Sequence, residues 1–312
     1  MKKWTALDIP SQAGKRAFIT GSNSGIGFHA ARHLAAAGCD VILACRSLEK
    51  AEAARQKILQ EFPAASIETA LLDLASLRSI HASAEAFLKT GQALDLLINN
   101  AGVMAMPTRQ TTEDGFERQF GTNHLGHFAL TGLLLPAVLA APAGRVVTVS
   151  SNAHKRARMH FDDLQYATGY DPWTPYLQSK LANLLFAFEL ERRLRRAGTR
   201  AVSVAVHPGL ADTSIVLNGP GQRRSPTSIF APWIMKVVAQ SEDQGSLPTL
   251  FGATSPAALG GHYYGPRGPG GWRGAPVEEI PRPWARDEAA AARLWTVSEE
   301  LTGVRYTPID SN

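Results

Sequence analysis

Short apolar runs alternate with longer amphipathic segments from the beginning of the chain to about residue 255. Residues 16–20, 41–45, 67–72, 94–99, 146–150 and 201–206 are brief and rich in β-branched or aliphatic side chains. Between them, segments such as 28–37, 47–62 and 176–196 space their apolar positions as a helix does. Near-continuous apolar strands separated by helices predict a parallel sheet covered on both faces. Right-handed crossovers then make the fold α/β, a doubly wound parallel sheet. No linker or repeat interrupts it, so residues 1–312 are read as one domain. After Pro208-Gly209 the pattern loosens: 218–227 reads as loop, 228–238 as an apolar helix, and 265–283 is dominated by Gly and Pro. Ligands of open α/β folds sit beyond the carboxyl ends of the strands, so 210–240 is expected to be a lid over that crevice. Residues 266–312 form a C-terminal extension.

Composition narrows the class. With 45% hydrophobic and 19% charged residues among 312, the chain is too apolar for disorder and can bury a sizeable core. The net charge of +5 suits anionic small molecules as well as nucleic acid and decides nothing alone. Two cysteines, Cys39 and Cys45, exclude a disulfide scaffold and fit a reducing compartment. The greasy stretch 128–143 contains Pro136 and is shorter than the roughly 20 residues a bilayer requires. The expectation is a cytoplasmic protein with no membrane span.

The first strand ends in Thr20-Gly21-Ser22-Asn23-Ser24-Gly25-Ile26-Gly27 and enters a helix directly. Glycines there let the backbone turn tightly and approach a pyrophosphate seated on the helix N-terminus, as in a Rossmann fold. An enzyme that uses NAD places a carboxylate at the end of the second strand to grip the ribose 2′-hydroxyl. This strand ends Ala44-Cys45-Arg46-Ser47, with no acid and with a guanidinium suited to a 2′-phosphate. NADP(H) is therefore expected ahead of NAD(H); otherwise Arg46 is a solvent-facing residue at a helix entry. Leu71-Leu72-Asp73-Leu74 and Asn99-Asn100-Ala101-Gly102 close the third and fourth strands, where such residues line a nucleotide crevice or simply make turns.

Tyr176-Leu177-Gln178-Ser179-Lys180 should open a helix, with Thr174 as N-cap and Pro175 as its first residue. Positions i and i+4 share a face, so the ammonium meets the phenol and is expected to lower its pKa from about 10 toward working pH. Ser151, just past the fifth strand, can hydrogen-bond a carbonyl oxygen as charge develops; otherwise it is a capping serine. Asn123 falls within a helical segment, where it bonds inward to water or to the lysine, or else is solvated.

The set Thr20-Gly-x-x-x-Gly-Ile-Gly27, Asn99-Asn-Ala-Gly102, Asn123, Ser151 and Tyr176-x-x-x-Lys180, in this order, resembles the short-chain dehydrogenase/reductase family over about residues 14–265. Residues 114–117, 120–128, 149–154 and 179–183 are more narrowly similar to its retinol dehydrogenase and WW-domain oxidoreductase branch. The resemblance implies that Tyr176 is the acid–base, that Lys180 lowers its pKa and holds the nicotinamide ribose, and that Ser151 polarises the carbonyl. Asn123 would support a proton-relay water. Gly21, Ser24 and Ile26 would contact the phosphates, with Asn23, Gly25 and Gly27 completing that loop. Asp73 and Leu74 would meet the adenine, Asn100, Ala101 and Gly102 the adenosine ribose region, and Pro208, Gly209 and Thr213 the nicotinamide amide. Unlike the vertebrate retinol dehydrogenases, the sequence shows no membrane-anchoring helix ahead of the fold, which argues against a membrane-derived retinoid substrate.

The expected function is NADPH-dependent reduction of a carbonyl on a hydrophobic small molecule, reversibly the oxidation of an alcohol. A C=C reductase and a non-catalytic NADP(H)-sensing regulator are the alternatives. Trp173, Trp233 and Trp272 bracket the crevice in sequence and suit an apolar substrate. The basic stretch 154–160 reads as a solvated loop, with attraction of an anionic substrate or cofactor as the other reading. Arg192-Arg193-Leu194-Arg195-Arg196 sits at a helix end and does not suggest nucleic acid. The nine histidines show no metal-ligand spacing. The helix at 181–188 is apolar on more than one face, which suggests a homodimer contact.

Overall fold

The computed structural model describes residues 3–210 and 240–310. Its frame is an eight-stranded sheet in the order β3-β2-β1-β4-β5-β6-β7-β8. The strands are β1 Arg16–Thr20, β2 Asp40–Cys45, β3 Ile67–Leu71, β4 Leu96–Asn99, β5 Arg145–Val149, β6 Val202–Val206, β7 Tyr263–Pro266 and β8 Pro276–Glu278. Neighbours pair in parallel from β3 to β7, and β8 runs antiparallel to β7. The six apolar runs thus become the first six strands. The last two lie where Gly and Pro dominate the sequence, and no apolar periodicity marks them.

The winding reverses between β1 and β4, which opens a crevice at their carboxyl ends. Successive side chains of a strand face opposite ways, and the two cores divide accordingly. On β1, Phe18 packs into one core with α3 (Leu77–Leu88), α4 (Arg118–Ala140) and α5 (Thr174–Arg196). Ala17 and Ile19 pack into the other, with α1 (Gly25–Ala36), α2 (Leu48–Glu61) and α6 (Glu242–Thr254).

Two expectations change. Residues 128–140 of the stretch 128–143 belong to the 23-residue helix α4, long and apolar enough by length and composition to cross a membrane, yet mostly buried inside the fold. The second apolar face of α5 is covered within the chain by α7 (Glu288–Thr302): Phe186 stacks on Trp295 at 5.9 Å, and Leu181 and Leu185 share a cluster with Ala291 and Leu294. The apolar positions that suggested a homodimer contact are therefore packed within the chain. The short helix α8 (Thr307–Asp310) ends the described residues, and Tyr306 before it donates its hydroxyl to the Phe128 carbonyl at 2.6 Å.

Candidate active site

The crevice between β1 and β4 is a cavity of about 690 Å3. Its floor is pinned by one hydroxyl at the end of β1. Thr20 Oγ1 accepts hydrogen bonds from the backbone N–H of Asn100 and of Ala101, both 2.9 Å. The Asn100 amide donates to Thr20 O at 2.9 Å, so the ends of the two strands are tied together. Gly21 takes φ 65°, and a Cβ there would lie 2.9 Å from that of Ala101. A Cβ at Gly27 would lie 2.4 Å from Asn100 Nδ2 and 2.5 Å from Gly21 O. Both glycines are required by close approach, as the spacing of the turn predicts.

Asn23, Ser24, Gly25 and Ile26 line this cavity with Gly21 and Gly27, on the N-terminal turn of α1. The Ser24 hydroxyl accepts no hydrogen bond from that turn, so the first N–H groups of α1 are left to face the cavity. Arg46 is exposed at its rim, with Lys50 one turn along α2, and neither forms an ion pair with a described residue. Asp73 and Leu74 line it as well, and Asp73 Oδ1 accepts from Ala75 N at 2.9 Å in a tight turn. Ala101, Gly102, Pro208 and Gly209 complete the walls. Thr213, Trp233 and nearly all of the expected lid 210–240 lie outside the described residues.

Ser151, Tyr176 and Lys180 line the same cavity. Helix α5 begins with Thr174 and Pro175, one residue earlier than the sequence suggests. Trp173 holds the N-cap position, and Asp171 Oδ1 accepts from Trp173 N (2.9 Å) and Thr174 N (3.0 Å). The Lys180 ammonium lies 5.8 Å from the centre of the Tyr176 ring and donates to Val149 O at 3.3 Å. Ser151 Oγ accepts from Ala153 N at 3.1 Å, capping the 3-10 turn Asn152–Arg156, and its hydroxyl also hydrogen-bonds Tyr176. The serine is thus both a cap and a cavity hydroxyl.

Charge behaves differently from the expectation. Burial pushes the Tyr176 phenol above its ordinary value of 10, opposed only by a hydrogen bond with Ser151. Burial pushes Lys180 down to about 8. The lysine does not bring the phenol toward neutrality here, because removal from water penalises phenolate and ammonium alike.

Asn123 is also placed differently. Residues Gly121–Leu125 form a π-helical turn inside α4, which widens the helix there. The Asn123 side chain is completely buried; its Oδ1 accepts from Val103 N (2.7 Å), and its Nδ2 donates to Val103 O and Ser179 Oγ (2.9 Å each). It brackets the cavity loop to α5, and its side chain makes no hydrogen bond to the lysine. A Cβ on Gly102 would lie 3.2 Å from Asn123 Oδ1 and 3.4 Å from Lys180 Nζ, so the glycine lets the three groups close up.

Sequence reasoning missed Lys50, whose only signal is its place one helical turn beyond Arg46. His127 is structural: it is buried beside Asn123, and its Nε2 lies 2.9 Å from Thr20 Oγ1. The basic stretch 154–160 is not a uniformly solvated loop. His154 is fully buried, with Nδ1 2.7 Å from Ser151 O, and Lys155 pairs with Glu279 at 3.6 Å.

Comparison with known proteins agrees with this geometry. The model of the short chain dehydrogenase family matches residues 15–218. The chain is 40% identical to human retinol dehydrogenase 13 over 301 residues, covering 95% of this chain and 87% of that protein. A crystal structure of an uncharacterized protein from Mycobacterium paratuberculosis is 40% identical, with a TM-score of 0.81 over 98% of this chain and 99% of that one. A short chain dehydrogenase from Shigella flexneri, solved in complex with NADP, is 21% identical with a TM-score of 0.63 over 82% of this chain and 97% of that one. This last likeness is one of fold.

Proposed function

This chain belongs to the short-chain dehydrogenase family of oxidoreductases, and from that premise we propose that it is an NADPH-dependent carbonyl reductase, reversibly an alcohol dehydrogenase, acting on a hydrophobic aldehyde, ketone or secondary alcohol. The observation that carries the reading is that Ser151, Tyr176 and Lys180 line the same cavity as the glycine turn. The likeness to a retinol dehydrogenase supports an alcohol–carbonyl couple.

The cavity suits a dinucleotide. The free N–H groups at the start of α1 would hold the pyrophosphate, Arg46 and Lys50 the 2′-phosphate, and Asp73 and Leu74 the adenine side. Lys180 would hold the nicotinamide ribose, with Pro208 and Gly209 near the amide. The cofactor, when bound, supplies the hydride that reaches the carbonyl carbon.

Tyr176 keeps its proton at neutral pH and gives it to the carbonyl oxygen as that oxygen gains charge. The Ser151 hydroxyl, one of its two lone pairs taken by Ala153 N–H, would turn its own proton to the same oxygen. The Lys180 ammonium stabilises the phenolate left behind until solvent returns a proton. Asn123 acts at one remove, by holding the Val103 loop and α5 in register.

Purified protein with NADPH and a panel of medium-chain aldehydes tests the reading, with product identification to separate C=O from C=C reduction. Tyr176→Phe is expected to lower kcat by about 1000-fold, within the usual range for a lost general acid, while NADPH still binds. Turnover unchanged in that variant would refute the assignment.

A further inference from the structure

A second cleft, of about 870 Å3, opens beside the first and shares with it Asn152, Ala153, Trp173 and Trp272. Trp173 links the two: its ring lies 6.5 Å from that of Tyr176, edge to face. The second cleft combines two features. Large apolar side chains stand open to solvent around it, with Trp173 54%, Trp272 50% and Ile280 85% exposed. Its remaining wall carries Lys155, Arg156 and Arg282, and no acidic residue lines it among the described residues.

The positive charge is only partly met inside the protein. Lys155 pairs with Glu279 at 3.6 Å, and that carboxylate also accepts from His207 at 3.0 Å. Arg282 lies 5.9 Å from the Trp284 ring and forms no ion pair with a described residue. Arg156 is exposed and forms no ion pair with a described residue. Apolar rings leading from the reacting centre to unneutralised guanidinium groups fit a molecule that is greasy in the middle and acidic at one end.

We propose that this cleft holds the tail of the substrate and that the tail ends in a carboxylate: the substrate class is an aldehyde or ketone joined by an apolar chain to an acid. The inference rests on the carbonyl reductase reading above. With the carbonyl at Ser151 and Tyr176, the chain passes between Trp173 and Trp272, and the carboxylate meets Arg156 and Arg282. Guanidinium groups bind a carboxylate bidentately, so an exposed pair of them gives selectivity for the charged end over its ester.

The test compares 10-oxodecanoate, its methyl ester and decanal as substrates with NADPH. At low ionic strength the acid is expected to have a kcat/KM about tenfold above that of the ester, the size of one charge-assisted contact. The ratio should fall toward one in about 0.5 M salt, where the Debye length shrinks to a few ångströms. It should also fall toward one in the double variant Arg156→Gln/Arg282→Gln. A ratio at or below one in the unaltered protein, or one that persists in the double variant, overturns the proposal while turnover of ester and decanal leaves the reductase reading standing. If none of the three compounds consumes NADPH, the reductase reading itself fails, and the tail assignment falls with it.

Discussion

Thr20 Oγ1 lies 2.9 Å from Nε2 of His127, and this contact fixes the protonation of a buried imidazole. The threonine oxygen already accepts from Asn100 N and Ala101 N, so it meets the ring as a donor. The opposite ring nitrogen, Nδ1, faces the Asn123 carbonyl at 2.9 Å and must donate. His127 is therefore neutral, with its proton on Nδ1, and burial drives its pKa down to about 4. Through it the glycine turn, the end of β4 and the π-turn of α4 form one hydrogen-bonded unit.

Thr20→Val keeps the shape of the side chain and removes both of its hydrogen-bonding roles. Two backbone N–H groups and one imidazole nitrogen then lose their partner in a dry site. The variant is expected to lose about 2–3 kcal/mol of stability in urea unfolding and to bind NADPH more weakly in fluorescence titration. A midpoint equal to that of the unaltered protein would show that the hydroxyl holds nothing.

Acid should destabilise the fold before its carboxylates titrate. Burial lowers the pKa of His124 to about 3 and those of His127 and His154 to about 4, from 6.5. Between pH 6.5 and about 4 the unfolded chain binds protons that the native state refuses. Stability therefore declines as pH drops through that window, by at most about 1.4 kcal/mol per pH unit for each histidine. Denaturant midpoints at pH 7 and pH 5 measure the loss, and His154→Gln should reduce it.

Lys180, held down to about 8, should set the basic limb of the rate profile. Reduction needs its positive charge beside the phenol, so kcat/KM is expected to fall as pH rises through about 8. Lys180→Arg, charged at every accessible pH, should carry that limb upward even if turnover is reduced. The linkage has the opposite sign. Between about 8 and 10.5 only the unfolded lysine is protonated, so this group's contribution makes the fold more stable as pH rises through that window.

Arg46 and Lys50 should determine the choice between dinucleotides. Replacing Arg46 by Ser is expected to raise the Kd for NADPH about tenfold or more and to leave that for NADH nearly unchanged, since only the former carries a 2′-phosphate. Equal weakening of both would mean that Arg46 shapes the loop and reads no phosphate.

The first six strands were legible because each is a brief run rich in β-branched or aliphatic residues set between longer helical segments, and the glycine turn because close approach demands residues without Cβ. Tyr176 and Lys180 were legible as a helical i, i+4 pair. What escaped depends on contacts that a local pattern does not contain. Strand β7 carries Gly265 and Pro266 and is held by pairing with β6. The apolar faces of α5 suggested a second copy because helix α7, which covers them, lies a hundred residues later. Tyr176 illustrates the limit for chemistry: spacing showed a cation near a phenol, but only the packed structure showed that burial outweighs it.

The π-turn at Gly121–Leu125 sets thermal robustness against turnover. Excising one residue there would let α4 close an unbroken ladder of ordinary helical bonds, and the helix by itself would gain. The same deletion would rotate Asn123 by about 100° away from Val103 and Ser179, opening the pocket wall. Selection for heat resistance alone would therefore erode this segment, whereas selection for catalysis preserves an awkward residue that contributes nothing to its own helix.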